Sequence, residues 1–198
     1  MARKRRATRM LTVAALTGAI AIVLSFVGRH KEQTPTAQLP GILTSQPPWD
    51  ANAAQADARA TAIGLPAEGT TMHIHADVQV FVHGLQEPVP ANVGISGAIQ
   101  SLHTHDATGV VHMESSKART FTLGEFFDVW GVRLTPSCLA GSCNGDAGTL
   151  KIFVNGQALT GDPRDTALND QVVVVTFGTD AELPSPIPSA FDFSSIVP

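Results

Sequence analysis

From Thr71 the chain alternates between two faces. Met72, Ile74, Ala76, Val78, Val80 and Val82 fall on one side, and His73, His75, Asp77, Gln79 and His83 on the other. A period of two predicts a half-buried strand. Gly84 closes it, and Pro88 and Pro90 hold the next segment to an edge or a loop. Ser101 to Glu114 reads as two short extended runs about Asp106-Ala107-Thr108-Gly109. Asp first and Gly fourth suit a type I turn, so a hairpin is expected. Thr122-Leu123-Gly124-Glu125 has the capping-box pattern ahead of Phe126, Phe127, Val129 and Trp130, which predicts one short helix stopped by Gly131 with its aromatic residues in the core. Leu150 to Val154 is a strand ending at an Asn155-Gly156 turn. Gln171 to Phe177 is almost continuously apolar and predicts a central strand.

The ends of the chain differ in character. Met10 to Gly28 runs 19 residues without a charge and as a helix would span roughly 28 Å, enough to cross a bilayer core. Arg3-Lys4-Arg5-Arg6 and Arg9 precede it, so the N-terminus is expected in the cytoplasm and the remainder outside the cell membrane. A cleaved signal peptide is the rival, but no Ala-x-Ala site borders the apolar run. The expected organisation is a basic segment at 1–9, an anchor at 10–28, a linker at 29–70, a β-rich domain at 71–178 and a Pro-rich tail at 179–198. Within the linker, Asp50 is placed to cap a short Ala-rich helix from Ala51 to Ile63, ended by Gly64 and Pro66.

Composition adds two constraints. The formal charge is −4, and because the basic cluster precedes the anchor, the exported part is more acidic still; with the basic residues in the membrane-flanking segment rather than on a folded face, nothing points to a nucleic-acid partner. Cys138 and Cys143 sit in a Gly-rich loop, and in an oxidising compartment a local disulfide is the leading reading. A thiolate metal pair lacks the second Cys/His pair of a structural zinc site. Asp162-Pro163-Arg164-Asp165 reads as a turn with a local ion pair.

The chemistry-bearing residues are histidines. His73-x-His75, His103-x-His105 and His112 lie in three strand segments. Residues two apart on a strand point the same way, about 6.5 Å apart along the chain, so each His-x-His is a candidate metal clip. If His105 pairs with Val110, His103 faces His112 while Leu102, Val111 and Met113 gather on the other side; a bulged register sends His112 away. The first register segregates polar from apolar residues better. It gives a metal cluster of His103, His105, His112 and Glu114, with His73 and His75 approaching from the neighbouring strand. Neutral imidazoles suit copper or zinc. Met72 and Met113 fall on the apolar face and are read as core.

The order hairpin, helix, strand, strand from Ser101 to Gly178 resembles the β-grasp fold, with the Met72 strand added in front. The fold class is therefore α+β: a small mixed sheet with one short helix, preceded by the transmembrane helix. The functions of β-grasp sulfur carriers do not follow, since those end in Gly-Gly and this chain ends in Val197-Pro198. Leu-His-Thr-His-Asp-Ala-Thr-Gly-Val-Val-His-Met-Glu-Ser and Arg-Thr-Phe-Thr-Leu-Gly-Glu-Phe-Phe-Asp-Val-Trp-Gly resemble segments of an uncharacterised family of membrane-anchored or exported prokaryotic proteins. That resemblance covers most of the 71–178 domain and implies an architecture without an activity. Three functions stay open: a non-catalytic copper or zinc module, a metal-dependent hydrolase or hydratase with a His-ligated water, and an interaction domain without metal. No Gly-x-Ser-x-Gly elbow and no Gly-rich phosphate loop is present.

Overall fold

The computed structural model describes residues 39–196. The expected anchor at 10–28 lies outside the described residues, and among those described no helix is long and apolar enough to cross a membrane. Helix α1 (Ala56–Ala62) comes first, then strands β1 (Met72–Val82), β2 (Leu85–Glu87), β3 (Leu102–His103), β4 (Val110–Ser115) and β5 (Phe121–Thr122). Helix α2 (Leu123–Trp130) is followed by β6 (Cys138–Leu139), β7 (Ser142–Cys143), β8 (Thr149–Val154), β9 (Gln157–Ala158), β10 (Ala167–Leu168) and β11 (Val172–Gly178).

A mixed seven-stranded sheet runs in the order β3-β4-β1-β11-β8-β9, with β2 continuing the β4 side of β1. The strand at Met72, expected in front of the sheet, lies at its centre. It pairs antiparallel with β4 through its first half and parallel with β11 through its second, Asp77 opposite Val172 and Val82 opposite Phe177. The reason is burial: its even-numbered residues need a core beneath them, which only a central position supplies on both flanks. Ala76, Val78, Val80 and Val82 join Leu102, Val111, Met113, Val173 and Val175 under the aromatic side of α2. β11 is buried along its whole length, as its apolar run predicts.

Helix α2 begins with the expected reciprocal cap between Thr122 and Glu125 and ends at Gly131, left-handed at φ 78°. A Cβ there would stand 2.4 Å from Asn52 Nδ2 and 2.7 Å from Arg59 Cζ, so glycine serves both conformation and packing. The buried Arg59 guanidinium donates to the Val129 carbonyl and to that of Asn52. A cation on unpaired carbonyls at a helix C-terminus is favourable on both hydrogen-bond and dipole grounds.

The segment read as a linker is therefore folded from residue 39 onward. Trp49 packs edge-on to Trp130 at 5.9 Å, and Trp130 donates from Nε1 to the Asp50 carbonyl. Asp50 caps no helix: its carboxylate accepts the Asn52 N–H, and α1 starts only after a 3-10 turn at Ala53–Gln55. Arg164 is not in a local pair either. Its guanidinium grips Asp128 of α2 in a buried two-pronged bond and donates to the Leu134 carbonyl, while Asp162 accepts the Arg164 N–H. Cys138 and Cys143 form the expected disulfide.

The tail is also part of the fold. On the sheet face away from α2, Phe81, Phe153, Val172 and Val174 make a second apolar cluster, covered by Leu183, Ile187 and Phe191. Each of these three half-buried side chains contributes about 1 kcal/mol, or about 3 kcal/mol together. A chain ending after Glu182 should accordingly denature at lower urea and bind a hydrophobic dye; equal midpoints in chemical denaturation would contradict this packing.

Candidate metal centre

The same alternation that sends even-numbered β1 residues into the core sends His73 and His75 to the opposite face. β4 lies beside them with Glu114 opposite His73 and His112 opposite His75. On its far side β3 places His103 opposite His112, the register that segregation of polar and apolar residues predicts. Three adjacent strands thus bring His73, His75, His103, His105, His112 and Glu114 to one patch.

The loops hold this register. Thr104 exchanges backbone hydrogen bonds with Asn92 and Val93, and its hydroxyl accepts the Val93 N–H. Gly109 gives its carbonyl to the Val78 N–H at 2.8 Å; its φ is 93°, and a Cβ there would meet the Val78 oxygen at 2.6 Å. Asp106 accepts the Thr108 N–H within the turn.

The imidazoles converge closely. His73 and His75 bring their Nε2 atoms to 3.1 Å, and His103 and His105 theirs to 3.2 Å. Four ligands at about 2.0–2.1 Å around a tetrahedral ion lie about 3.3 Å apart, so each pair matches one edge of a coordination shell. Glu114 Oε1 stands 3.2 Å from His73 Nε2, 3.4 Å from His112 Nδ1 and 3.8 Å from His103 Nε2. Two groups have ligand atoms within 4.8 Å of one another and could hold a metal ion: His103, His105, His112 and Glu114, and His73, His75 and His112.

Protonation favours ligation. His103 is fully buried and Nδ1 donates to the Gln100 carbonyl at 2.8 Å, which leaves Nε2 as a bare acceptor aimed at His105. A backbone carbonyl fixing the tautomer of a ligand imidazole is the usual support of a metal-bound histidine. His112 Nδ1 is buried with no hydrogen-bond partner, since its approach to Glu114 is misaligned. Buried polar atoms rarely stay unpaired, and a metal ion would satisfy this one. Burial first, and then the facing His75, His103 and His105, depress the His112 pKa to about 4. Burial also lowers His103, and burial followed by His73 lowers His75.

All five predicted histidines are brought together, with Glu114 among them. His83 lies at the far end of β1, with Nδ1 3.3 Å from Glu182 Oε2 and its ring edge-on to Phe177. Met113 is buried in the core and offers no sulfur to the site. Sequence reasoning missed the tail: Phe191 and Ile196 line a pocket of about 330 Å³ with His105, Asp106, Thr108, Val110 and His112. Two apolar residues in a Pro-rich segment carry no signal for that role. It also missed Asp170, whose carboxylate accepts the His75 N–H at 3.4 Å.

No protein-family model matches the chain, and neither curated proteins nor solved structures offer a match. Its function is read from the site.

Because His75, His103 and His112 are harder to protonate folded than unfolded, the unfolded state binds more protons below about pH 6.5. The metal-free fold should keep the full contribution of these groups above that pH and lose it as pH falls toward about 4, where His112 titrates. Thermal unfolding of metal-stripped chain from pH 7.5 to 4.5 should show the melting temperature dropping by several degrees. His112→Gln should flatten that drop, and an identical profile in the variant would contradict the assignment.

Proposed function

We propose that this chain is a membrane-anchored, extracytoplasmic module that binds copper or zinc through its histidine cluster and is not itself a catalyst. The observation that carries the reading is the buried, unpartnered Nδ1 of His112 at the centre of five converging imidazoles. Crowding and burying imidazoles costs free energy that coordination to an ion would offset. The compartment is supported by the Cys138–Cys143 disulfide, which persists in oxidising surroundings, and by the uncharged run at 10–28 behind its basic preface. Copper and zinc suit an imidazole-rich shell, and without thiolate or thioether donors the set favours the divalent ions.

The fold reading belongs with this proposal. The strand order β4-β1-β11-β8-β9, with β1 and β11 parallel and α2 between β4 and β8 in the chain, supports a β-grasp reading in which the Met72 strand comes first. Membership of the uncharacterised exported family is likewise a proposal, resting on the two segments quoted above.

A second reading is a metal-dependent hydrolase or hydratase. One observation favours it: the 330 Å³ pocket beside His105 and His112 leaves room for a bound water and a small substrate. An exchangeable water on the loaded metal would point to this reading, because a catalytic ion keeps an open position and a structural or carrier ion closes its shell.

Calorimetry on the metal-stripped full-length chain at pH 7.5 should find Cu(II) or Zn(II) bound with Kd below about 10 μM. His112→Ala should weaken binding by roughly 100-fold, about 2.8 kcal/mol, and His83→Ala should leave it unchanged. Binding no tighter than about 10 μM in the wild type would replace the metal reading with that of an interaction domain.

A further inference from the structure

We propose that the cluster holds two metal ions, one in each His-x-His clip, with His112 and Glu114 of the middle strand shared between them. This rests on the metal-binding reading above and extends it from a single ion to a bridged pair.

The geometry divides the ligands in two. Each flank contributes its own short edge, 3.1 Å between His73 and His75 on β1 and 3.2 Å between His103 at the end of β3 and His105 just beyond it. An ion seated in one clip has its nearest imidazoles there, and the two candidate ligand groups overlap in His112. β4 runs between the clips, and its side chains stand evenly toward both. The His112 ring centre is 4.6 Å from that of His75 and 4.5 Å from that of His105, nearly perpendicular to each, at 90° and 77°. Glu114 Oε1 is within 3.2 Å of one clip and 3.8 Å of the other.

The chemistry of the shared residues suits bridging. A neutral imidazole has one bare nitrogen and one N–H, so His112 serves both ions only as an imidazolate, its ring proton passing to solvent as the second ion binds; neither of its nitrogens is committed to a backbone carbonyl as Nδ1 of His103 is. A carboxylate has two oxygens, one for each ion, so Glu114 can reach both clips. Two divalent ions would bring more positive charge than Glu114 alone offsets. A further carboxylate stands beside each clip: Asp170 accepts the backbone N–H of His75, and Asp106 lines the pocket with His105 and His112.

Cu(II) alone serves as the probe, added to the metal-stripped full-length chain, with bound copper counted after dialysis and its spin state followed by electron paramagnetic resonance. The wild type should retain two Cu(II) per chain, and at two equivalents the spectrum should show dipolar coupling with a half-field transition. The double variant His73→Ala/His75→Ala, which leaves the more buried clip intact, should retain one Cu(II) with an uncoupled spectrum. If that variant does not fold, the wild-type count and spectrum still decide. One tightly held Cu(II) in the wild type, or two without spin coupling, would overturn the shared pair while leaving metal binding standing. No tightly held copper would overturn both.

Discussion

The register of β1 against β4 links the core of this protein to its histidines. Side chains on a strand alternate with a period of two, so a one-residue slip exchanges the faces of the whole strand. Here Ile74, Ala76 and Val78 pack under α2 only when His73 and His75 point away from it, and Val111 and Met113 do so only when His112 and Glu114 share the histidine face. Hydrophobic burial therefore positions the cluster, and the convergence of the histidines needs no separate scaffold. The packed face excludes slippage far more strongly than contacts among histidines could enforce it.

That arrangement has a cost in the metal-free state. Five imidazoles and one carboxylate are crowded on three neighbouring strands, with His103 and His112 removed from water. Burial, with neighbouring imidazoles, holds His75, His103 and His112 toward the neutral, ligating form, and the Gln100 carbonyl orients Nε2 of His103. An ion bound there would replace that crowding with coordinate bonds, and its affinity would arise partly from relief of an unfavourable local arrangement that the core has imposed.

How much of this was legible in the sequence follows the range of the contacts. The β1 alternation, the capping box of α2, the Asn155-Gly156 turn and the His103–His112 register all depend on residues close in sequence or on a hairpin, and each is found as expected. What was not legible depends on distant partners. Arg59 bonds carbonyls 70 residues away, and Arg164 reaches Asp128 across 36. Trp49 and Phe191 sit in Pro-containing segments whose composition reads as tether and tail, yet both pack on the folded domain. The central place of β1 needs a parallel pairing with β11, from Asp77 to Val172 at its first rung, and parallel pairing leaves no turn between the strands to announce it. In the site, the five histidines and Glu114 were within reach because each His-x-His pair falls on one face of an extended run and the 101–114 hairpin sets His103 against His112; Asp170, Phe191 and Ile196 arrive from elsewhere in the chain.

X-ray absorption at the zinc edge of the stoichiometrically loaded chain tests the central claim most directly, since it reports the atoms bound to the ion. A shell of nitrogen and oxygen at about 2.0–2.1 Å, with the outer-shell scattering of several imidazole rings, is what the cluster on β1, β3 and β4 predicts. A shell of oxygen alone without imidazole scattering, or sulfur at about 2.3 Å, would contradict it.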